Sequence, residues 1–222
     1  MPEVDVKQKV LAANQAAAAS LREAFAAQGT LVVNLISSPG SGKTTLLEAT
    51  VARLAGKLRM GGLDGDIATE RDAERLRRAG IPARQILTGG ACHLDARQVD
   101  AALAEEGERL RGLDLLFIEN VGNLICPTSY DLGEDFKVVL LSTAEGDDKP
   151  FKYPAIFSKA KVTVLTKVDL LPHVDFDVSA VRQQVATLNP GARFVELSAR
   201  TGDGMDAWCG LLEGALAAKR SS

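Results

Sequence analysis

Residues 31–45 read Leu-Val-Val-Asn-Leu-Ile-Ser-Ser-Pro-Gly-Ser-Gly-Lys-Thr-Thr, which is an apolar run followed by a glycine-rich turn. The apolar run predicts a buried strand, the turn predicts a tight loop, and a helix is expected to begin at Lys43. Glycines let the backbone curl so that several N–H groups face one anion, and a helix N-terminus adds its positive dipole end. This stretch therefore predicts a phosphate-binding loop between a strand and a helix.

The pattern within the turn assigns roles to single residues. Lys43 is expected to reach the β- and γ-phosphates of a nucleotide, and the Thr44 hydroxyl is expected to hold Mg²⁺. Ser37 departs from the GxxxxGK pattern, which begins with glycine. A glycine turn that merely joins a strand to a helix is the alternative, but Gly-Lys-Thr-Thr has little other use in this context. The residues predicted to bind nucleotide here are Pro39, Gly40, Ser41, Gly42, Lys43, Thr44 and Thr45.

The composition is that of an ordinary globular protein. Of 222 residues, 46% are hydrophobic and 25% are charged, which suffices for one substantial core. The net charge of -3 indicates neither a nucleic-acid surface nor an anionic membrane surface. No apolar run approaches the roughly 20 residues of a membrane span, and the start lacks the features of a signal peptide. We therefore expect a cytoplasmic protein without nucleic-acid or membrane partners, in which three cysteines form no disulfide framework.

Strand and helix patterns alternate along the rest of the chain. Continuous apolar runs at 115–118 and 138–141 are typical of strands buried on both faces of a parallel sheet. We predict an α/β fold, a doubly wound, mostly parallel sheet with helices on both faces, within one domain over 29–222. Strands are predicted at 31–36, 58–63, 83–88, 114–118, 137–142, 161–166 and 192–197, and helices at 43–56, 70–80, 95–111, 176–188 and 204–218.

The residues before this domain predict one further helix. Over 3–27 an alanine-rich segment carries an apolar stripe that includes Leu11, Leu21 and Phe25. The main interpretation is an N-terminal extension over 1–28 that packs on the domain. A partner-binding arm is the alternative.

Acidic residues follow two of the predicted strands, at the edge where ligands of an open α/β sheet gather. Glu119 fits a Mg²⁺ ligand, and Asp66 fits a water-orienting or Mg²⁺-binding residue in a mobile loop. Gly122 leaves room for a backbone N–H at the γ-phosphate. A strand-end or helix-cap carboxylate is the alternative for each acid. The predicted catalytic residues are Lys43, Asp66 and Glu119, and the predicted magnesium ligands are Thr44, Asp66 and Glu119.

Two later segments resemble guanine-binding loops. Thr166-Lys167-Val168-Asp169 is similar to the Asn-Lys-x-Asp pattern of GTPases, with Thr166 in place of asparagine. The Asp169 carboxylate can accept hydrogen bonds from both N1–H and N2–H of guanine, which adenine cannot offer, and the Lys167 stem can lie over the base. Ser198 and Ala199 resemble the loop whose backbone N–H binds the guanine O6. The pair of loops predicts GTP and GDP, rather than ATP, as the nucleotides.

Two cysteines and a histidine form a candidate metal site. Cys92 and His93 follow one predicted strand, and Cys126 follows the segment that begins at Glu119. Two thiolates and an imidazole suit Zn²⁺ or Ni²⁺ and leave a position open for water or a partner. One metal could take all three ligands if the loop curls, or two metals could be shared across a dimer. Buried thiols beside a loop histidine are the alternative, because this spacing alone is a weak signal.

Taken together, these motifs resemble those of the HypB family of hydrogenase nickel-incorporation GTPases, within the SIMIBI class of P-loop proteins. The resemblance covers nearly the whole chain. The motifs that carry it are Ser-Ser-Pro-Gly-Ser-Gly-Lys-Thr-Thr at 37–45, Gly65-Asp66 with Asp72 downstream, Gly-Gly-Ala-Cys-His-Leu at 89–94, Glu-Asn-Val-Gly-Asn-Leu-Ile-Cys-Pro at 119–127 and Lys-Val-Asp-Leu-Leu-Pro at 167–172. The Cys-His loop and the Asn-Leu-Ile-Cys-Pro segment are specific to this family.

The resemblance implies a GTPase metallochaperone that helps deliver Ni²⁺ into the large subunit of nickel–iron hydrogenase. It implies a homodimer that depends on nucleotide, on metal or on both, with nickel or zinc bound at Cys92, His93 and Cys126 near the dimer interface. The implied partners are the companion chaperone HypA, SlyD and the precursor of the large subunit. This chain has no cysteine before Cys92 and only two histidines, so the N-terminal nickel motif and the histidine-rich tract of many relatives are not expected.

The expected mechanism is a switch in which nucleotide binding is coupled to metal binding. GTP and Mg²⁺ are expected to order the loops at 64–72 and 119–126, and a shift near Gly122 could move Cys126 directly. Turnover is expected to be slow, since no arginine is placed as an internal finger. Three rivals stay open: a urease-accessory GTPase, a metal-free regulatory GTPase, and a P-loop kinase that the guanine-loop pattern disfavours.

Overall fold

The computed structural model describes residues 2–66 and 70–221, with the side chains from residue 8 onward. Seven parallel strands form one sheet in the order β3-β2-β4-β1-β5-β6-β7. The strands are β1 Leu31–Ser37, β2 Met60–Asp66, β3 Ala83–Leu87, β4 Leu115–Glu119, β5 Phe136–Ser142, β6 Val162–Thr166 and β7 Arg193–Glu196. The strand that leads into the glycine-rich turn is thus central, between β4 and β5.

Helices cover both faces of the sheet. The bounds are α1 Pro2–Gln28, α2 Lys43–Leu54, α3 Arg71–Arg78, α4 Ala96–Glu106, α5 Lys149–Lys152, α6 Pro154–Lys159, α7 Val178–Leu188 and α8 Met205–Arg220. Successive side chains of a strand point to opposite faces, so Leu31 and Val33 of β1 join the cluster under α2 and α8, whereas Val32 joins the cluster under α1 and α4. Burial on both faces explains the continuous apolar strand pattern, and the predicted doubly wound α/β fold is confirmed.

Helix α1 contributes to the core of the domain. Ala18, Leu21 and Phe25 are buried in the cluster that also contains residues of α4 and β4. Arg22 Nη2 forms an ion pair with both carboxylate oxygens of Asp131, at 2.6 Å to Oδ1 and 2.8 Å to Oδ2. Both contacts tie the extension to the body of the molecule.

Most element ends lie within two residues of the sequence prediction, and the ends of β2 and α4 differ by more. Strand β2 runs on to Asp66, because its pairing with β3 continues to the Asp66–Leu87 position. Helix α4 ends before Gly107, whose φ of 53° breaks the helical path, and a 3₁₀ turn follows to Leu110. The polar stretch at 144–150 contains part of a 3₁₀ turn and the start of α5.

Within residues 2–66 and 70–221, none of the helices combines the length and the apolar character needed to cross a lipid bilayer.

A buried hydrogen bond between α2 and α8 generates a stability prediction. The Trp208 Nε1–H donates to Thr50 Oγ1 at 2.9 Å, and both side chains are fully buried. Thr50→Val leaves that N–H without an acceptor, so we expect the unfolding free energy to fall by about 2 kcal/mol in urea titrations. Thr163→Val is the matched control, because the equally buried Thr163 hydroxyl has no hydrogen-bond partner among the described residues. Equal losses in the two variants would contradict the assignment.

Candidate functional site

A cavity of about 520 Å³ opens at the edge where β1, β2 and β4 end. Ser41, although predicted to bind nucleotide, is fully buried beneath the turn, where its hydroxyl hydrogen-bonds with Ser38 and Glu145. The structure therefore brings most of the predicted phosphate residues to one surface. The predicted residues that line the cavity are Pro39, Gly40, Gly42, Lys43, Thr44, Thr45, Asp66, Glu119, Gly122 and Lys167.

Two glycines give the phosphate loop its shape. Gly40 and Gly42 have φ values of 78° and 93°, a region that residues with a Cβ rarely adopt. Gly42 immediately precedes α2, and the buried Lys43 begins that helix. The Lys43 Nζ donates to Ser37 Oγ at 2.9 Å. Ser37 therefore has a role of its own, since its hydroxyl holds the lysine amine inside the loop.

The acidic wall of the cavity fits a hard cation. Thr44 Oγ1 donates to Glu119 Oε1 at 2.9 Å, while Glu119 Oε2 and Asp64 Oδ2 are buried without a hydrogen-bond partner among the described residues. Unpaired buried carboxylate oxygens are costly, and Mg²⁺ takes oxygen ligands such as these. Thr44, Glu119 and the nearby Asp64 and Asp66 therefore suit a bound magnesium ion.

Burial also changes the acidity of this wall. The pKa of Asp64 is raised to about 8, mainly by burial and then by the negative charge of Glu119. The pKa of Glu119 is raised to about 7 by burial, against the opposing effect of Lys43. Without a cation, these carboxyls hold protons near neutral pH that a cation would displace.

Gly122 packs directly on the phosphate loop. A Cβ built on Gly122 would lie 2.8 Å from Pro39 Cγ and 2.9 Å from the Pro39 nitrogen. Any side chain there would push the two loops apart. The chain after β4 and the phosphate loop are therefore in contact at a position that tolerates only glycine.

A second cavity, of about 200 Å³, adjoins the first and fits the predicted guanine loops. Asp169, Ser198 and Ala199 line it, together with Thr166 and Lys167. Because the Ser198 N–H already donates to the Asp203 carbonyl at 2.9 Å, Ala199 is the better candidate for a backbone contact with guanine.

The residue that replaces the usual asparagine ties these loops together. Thr166 Oγ1 hydrogen-bonds with the Ser41 carbonyl at 2.7 Å and lies 3.3 Å from the Leu141 carbonyl. Lys167 has a positive φ of 58°, and its Nζ donates to the Gly40 carbonyl at 2.7 Å. A hydroxyl at 166 can therefore link the guanine loop to the phosphate loop.

The metal-ligand candidates converge on one point. The ligand atoms of Cys92, His93 and Cys126 all lie within 4.8 Å of one another, and Cys92 Sγ is 3.6 Å from His93 Nδ1. Ligands of one tetrahedral ion are separated by roughly 3.3–3.8 Å, given bonds of about 2.0–2.3 Å, so a small side-chain adjustment closes the site. The structure thus favours one ion held by all three residues in a single chain.

The local sequence explains why adjacent Cys92 and His93 can face the same ion. Gly89 and Gly90 have φ values of 61° and 94°, which turn the loop back on itself. The Thr88 hydroxyl donates to the Ala91 carbonyl at 2.7 Å and closes this turn. The curled loop therefore directs neighbouring side chains to one side.

Neighbouring residues set the protonation of the metal-free site. The pKa of the Cys92 thiol is raised, chiefly by its hydrogen bond with Cys126, and burial lowers the pKa of His93. The His93 ring packs on Tyr130 with centroids 3.9 Å apart. A metal ion would have to displace thiol protons to bind, so acid is expected to weaken binding.

Sequence reasoning missed several residues of the site. Asp64 was placed just past a shorter strand, and only the observed extension of β2 shows it buried in the cavity wall. Arg75 also lines the cavity, where its guanidinium bonds Glu48 at 2.6 Å and Asp72 at 3.1 Å. The alternating charges of α3 gave no signal for this position. Residues 67–69, within the predicted mobile loop at 64–72, lie outside the described residues.

Comparisons with known proteins agree with this geometry. A family model described as the CobW/HypB/UreG nucleotide-binding domain matches residues 31–196. The hydrogenase maturation factor HypB of Azotobacter chroococcum mcd 1 is 48% identical over 212 residues, which cover 95% of this chain and 68% of that protein. The crystal structure of HypB from Archaeoglobus fulgidus superposes with a TM-score of 0.86 at 42% identity, covering 92% and 99% of the two chains. The nickel complex of HypB from Helicobacter pylori gives 0.86 at 41% identity, covering 94% and 95%.

The raised pKa of Asp64 generates a prediction about pH. Without a cation, the folded protein keeps a proton there that the unfolded chain releases above about pH 4, so its stability falls as pH rises from 6 to 8. We expect this group to account for about 2 kcal/mol of lost unfolding free energy over that interval, measured in urea with EDTA. Asp64→Asn is expected to remove this part of the pH dependence and to leave the part due to Glu119, whereas Asp175→Asn, at an exposed position, leaves the whole dependence unchanged. A wild-type slope in Asp64→Asn would contradict the prediction.

Proposed function

The chain belongs to the HypB family of hydrogenase maturation factors, and from this premise we propose that it is a GTP-hydrolysing nickel chaperone. Its role is to assist the insertion of nickel into hydrogenase during maturation. The observation that carries this proposal is the convergence of Cys92, His93 and Cys126, the last of which lies on the segment that continues directly from the phosphate cavity. Cys126 lies seven residues after Glu119, so the nucleotide and metal sites share one segment.

Hydrolysis is assigned to the residues of the larger cavity. Lys43 faces the β- and γ-phosphates, and the Gly122 backbone lies close enough to the phosphate loop to follow the γ-phosphate. Thr44 and Glu119 would hold Mg²⁺, which would supply neutralisation of the phosphate charge when bound. Asp66 orients the attacking water or completes the cation site. The intrinsic rate is slow, because Glu48 and Asp72 engage Arg75 and draw its charge away from the phosphates.

Guanine selectivity is assigned to the smaller cavity. Asp169 accepts from the two guanine N–H groups, the Lys167 stem covers the base, and Ala199 contributes the backbone donor beside Ser198. The hydrogen bond from Thr166 to the phosphate loop supports this arrangement without the usual asparagine. GTP and GDP are therefore the proposed nucleotides.

Nickel is the proposed cargo of the Cys-His site, and zinc fits the same ligands. Three protein ligands leave a coordination position for water or for a receiving partner, which suits a site that must release its ion. Cys92 is exposed, so the site is reachable from solvent. The proposed partners are a second copy of this chain, a HypA-type chaperone, SlyD and the large-subunit precursor of hydrogenase, all in the cytoplasm.

Metal binding provides the first test of this function. Cys92→Ala removes one of the three ligands. Loss of a residue that only supports a ligand lowers metal affinity by about 10- to 100-fold. We therefore expect nickel affinity to fall by a larger factor in Cys92→Ala. Cys209→Ala is the matched control, since this buried thiol of α8 lies in the core and not at the site. Isothermal titration at two pH values should show weaker wild-type binding in acid. Equal nickel affinity in the two variants would contradict the assignment of Cys92 as a ligand, and a wild-type protein that binds no nickel would favour a metal-free regulatory GTPase.

Nucleotide selectivity provides the second test. Asp169→Ala removes an acceptor of two guanine hydrogen bonds, so kcat/KM for GTP is expected to fall at least tenfold while that for ATP stays low. Asp175→Ala, at an exposed carboxylate in the same connection, should leave both values unchanged. Wild-type protein that hydrolyses ATP ten times better than GTP would overturn the guanine assignment.

A further inference from the structure

Three asparagines are almost completely buried, with Asn14, Asn34 and Asn120 exposed by 2%, 0% and 1%. A buried amide destabilises the fold unless its donors and acceptors are paired, so each of these side chains is held by a defined set of partners. The partners of Asn120 belong both to the loop that carries His93 and to the segment that faces the phosphate loop.

One oxygen of Asn120 joins the metal loop to the phosphate-facing loop. Asn120 Oδ1 accepts from the Leu94 N–H at 3.2 Å and from the Val121 N–H at 3.0 Å. Leu94 directly follows His93, and Val121 directly precedes Gly122, which packs on Pro39. A displacement of the peptide at 121–122 therefore acts on the backbone beside a metal ligand.

The amide nitrogen of Asn120 begins a second path to the same place. Its Nδ2 donates to Asn34 Oδ1 at 3.3 Å, and Asn34 Nδ2 donates to Glu134 Oε1 at 3.3 Å. Lys137 forms an ion pair with Glu134 and donates to the Tyr130 carbonyl at 2.6 Å. Because the Tyr130 ring packs on His93, this path also ends at the metal site.

The metal loop also contacts the acidic wall of the nucleotide cavity. A Cβ on Gly65 would lie 2.7 Å from Leu94 Cγ, so the Leu94 side chain rests directly on the strand between Asp64 and Asp66. Leu94 is fully buried. The loop that carries His93 therefore has little room to move independently of the residues assigned to the cation and the phosphates.

We propose that Asn120 is the positioning residue that couples the nucleotide state to nickel affinity. This inference rests on the proposed function, because it concerns the same nucleotide and the same cargo. Contacts at Gly122 that differ between GTP and GDP change the position of the Val121 N–H. Asn120 transmits this change to Leu94 and thereby to the orientation of His93 against the two cysteines.

Asn14 is the matched control for this role. It is as buried as Asn120, and it also bridges the two metal-bearing segments: its Oδ1 accepts from the Ala96 N–H and its Nδ2 donates to the Asp131 carbonyl, both at 2.8 Å. Among residues 2–66 and 70–221, its side-chain hydrogen bonds reach no residue of the phosphate or guanine loops. Loss of Asn14 therefore removes a support of the metal site but not a link to the nucleotide.

The test measures nickel dissociation constants of the full chain with GDP and with a non-hydrolysable GTP analogue. Wild type is expected to show a ratio of about fivefold or more between the two states, typical of coupled sites. Asn120→Ala is expected to bind both ligands but to bring the ratio close to one. Asn14→Ala is expected to weaken nickel binding by a similar factor in both states and to keep the wild-type ratio.

Each contrary result has a distinct meaning. The coupling role would be overturned if folded Asn120→Ala kept the ratio of the wild type or bound no nickel. It would also be overturned if the wild type itself showed a ratio of one. Wild type that binds no nickel would instead refute the proposed function. If Asn120→Ala fails to fold, Asn120→Ser replaces it, because the shorter hydroxyl cannot bridge Leu94 and Val121, and the same ratios decide.

Discussion

The hydrogen bond from Thr44 to Glu119, at 2.9 Å, joins the first turn of α2 to the end of β4, and the rest of the site depends on it. It fixes the phosphate loop against the strand whose continuation carries Cys126. Parallel strands make this possible, because their carboxyl ends meet at one edge of the sheet and bring β1, β2 and β4 together there. A metal site and a nucleotide site that are distant in sequence thereby become neighbours.

The buried polar groups around this bond explain how a rigid sheet can support a switch. Asp64 and Glu119 hold unpaired carboxylate oxygens in the cavity wall, a condition that a bound cation relieves. Gly122 has no side chain and packs directly on Pro39, so the loop after β4 is in direct contact with the phosphate loop. These buried carboxyls therefore lie at the place where the proposed cation and GTP would bind.

The sequence was sufficient for features decided by local pattern, and insufficient for those decided by pairing across the sheet. The apolar runs of β1, β4 and β5 identify buried strands because each is apolar on both faces, and the glycine turn identifies the phosphate loop. Asp64 was missed because Gly61 and Gly62 weaken the strand pattern, whereas the pairing of β2 with β3 continues past Asp64 to Asp66.

The metal site, too, was predictable from local sequence only in part. Spacing identified Cys92, His93 and Cys126 as candidates, but the loop curl that lets adjacent residues face one ion follows from the φ values of Gly89 and Gly90. Tyr130 and the asparagine network carried no sequence signal, because their contacts join segments that only the fold brings together. Those tertiary contacts are what place His93 beside the nucleotide machinery.

In the proposed mechanism, nucleotide binding and nickel binding change each other's affinity through the segment from Glu119 to Cys126. The most direct measurement is the affinity of wild-type protein for a fluorescent, non-hydrolysable GTP analogue, with and without one equivalent of Ni²⁺. Thermodynamic reciprocity predicts that nickel changes the nucleotide affinity by the same factor by which the nucleotide changes nickel affinity. Identical nucleotide affinity in the two samples, with nickel demonstrably bound, would contradict the account.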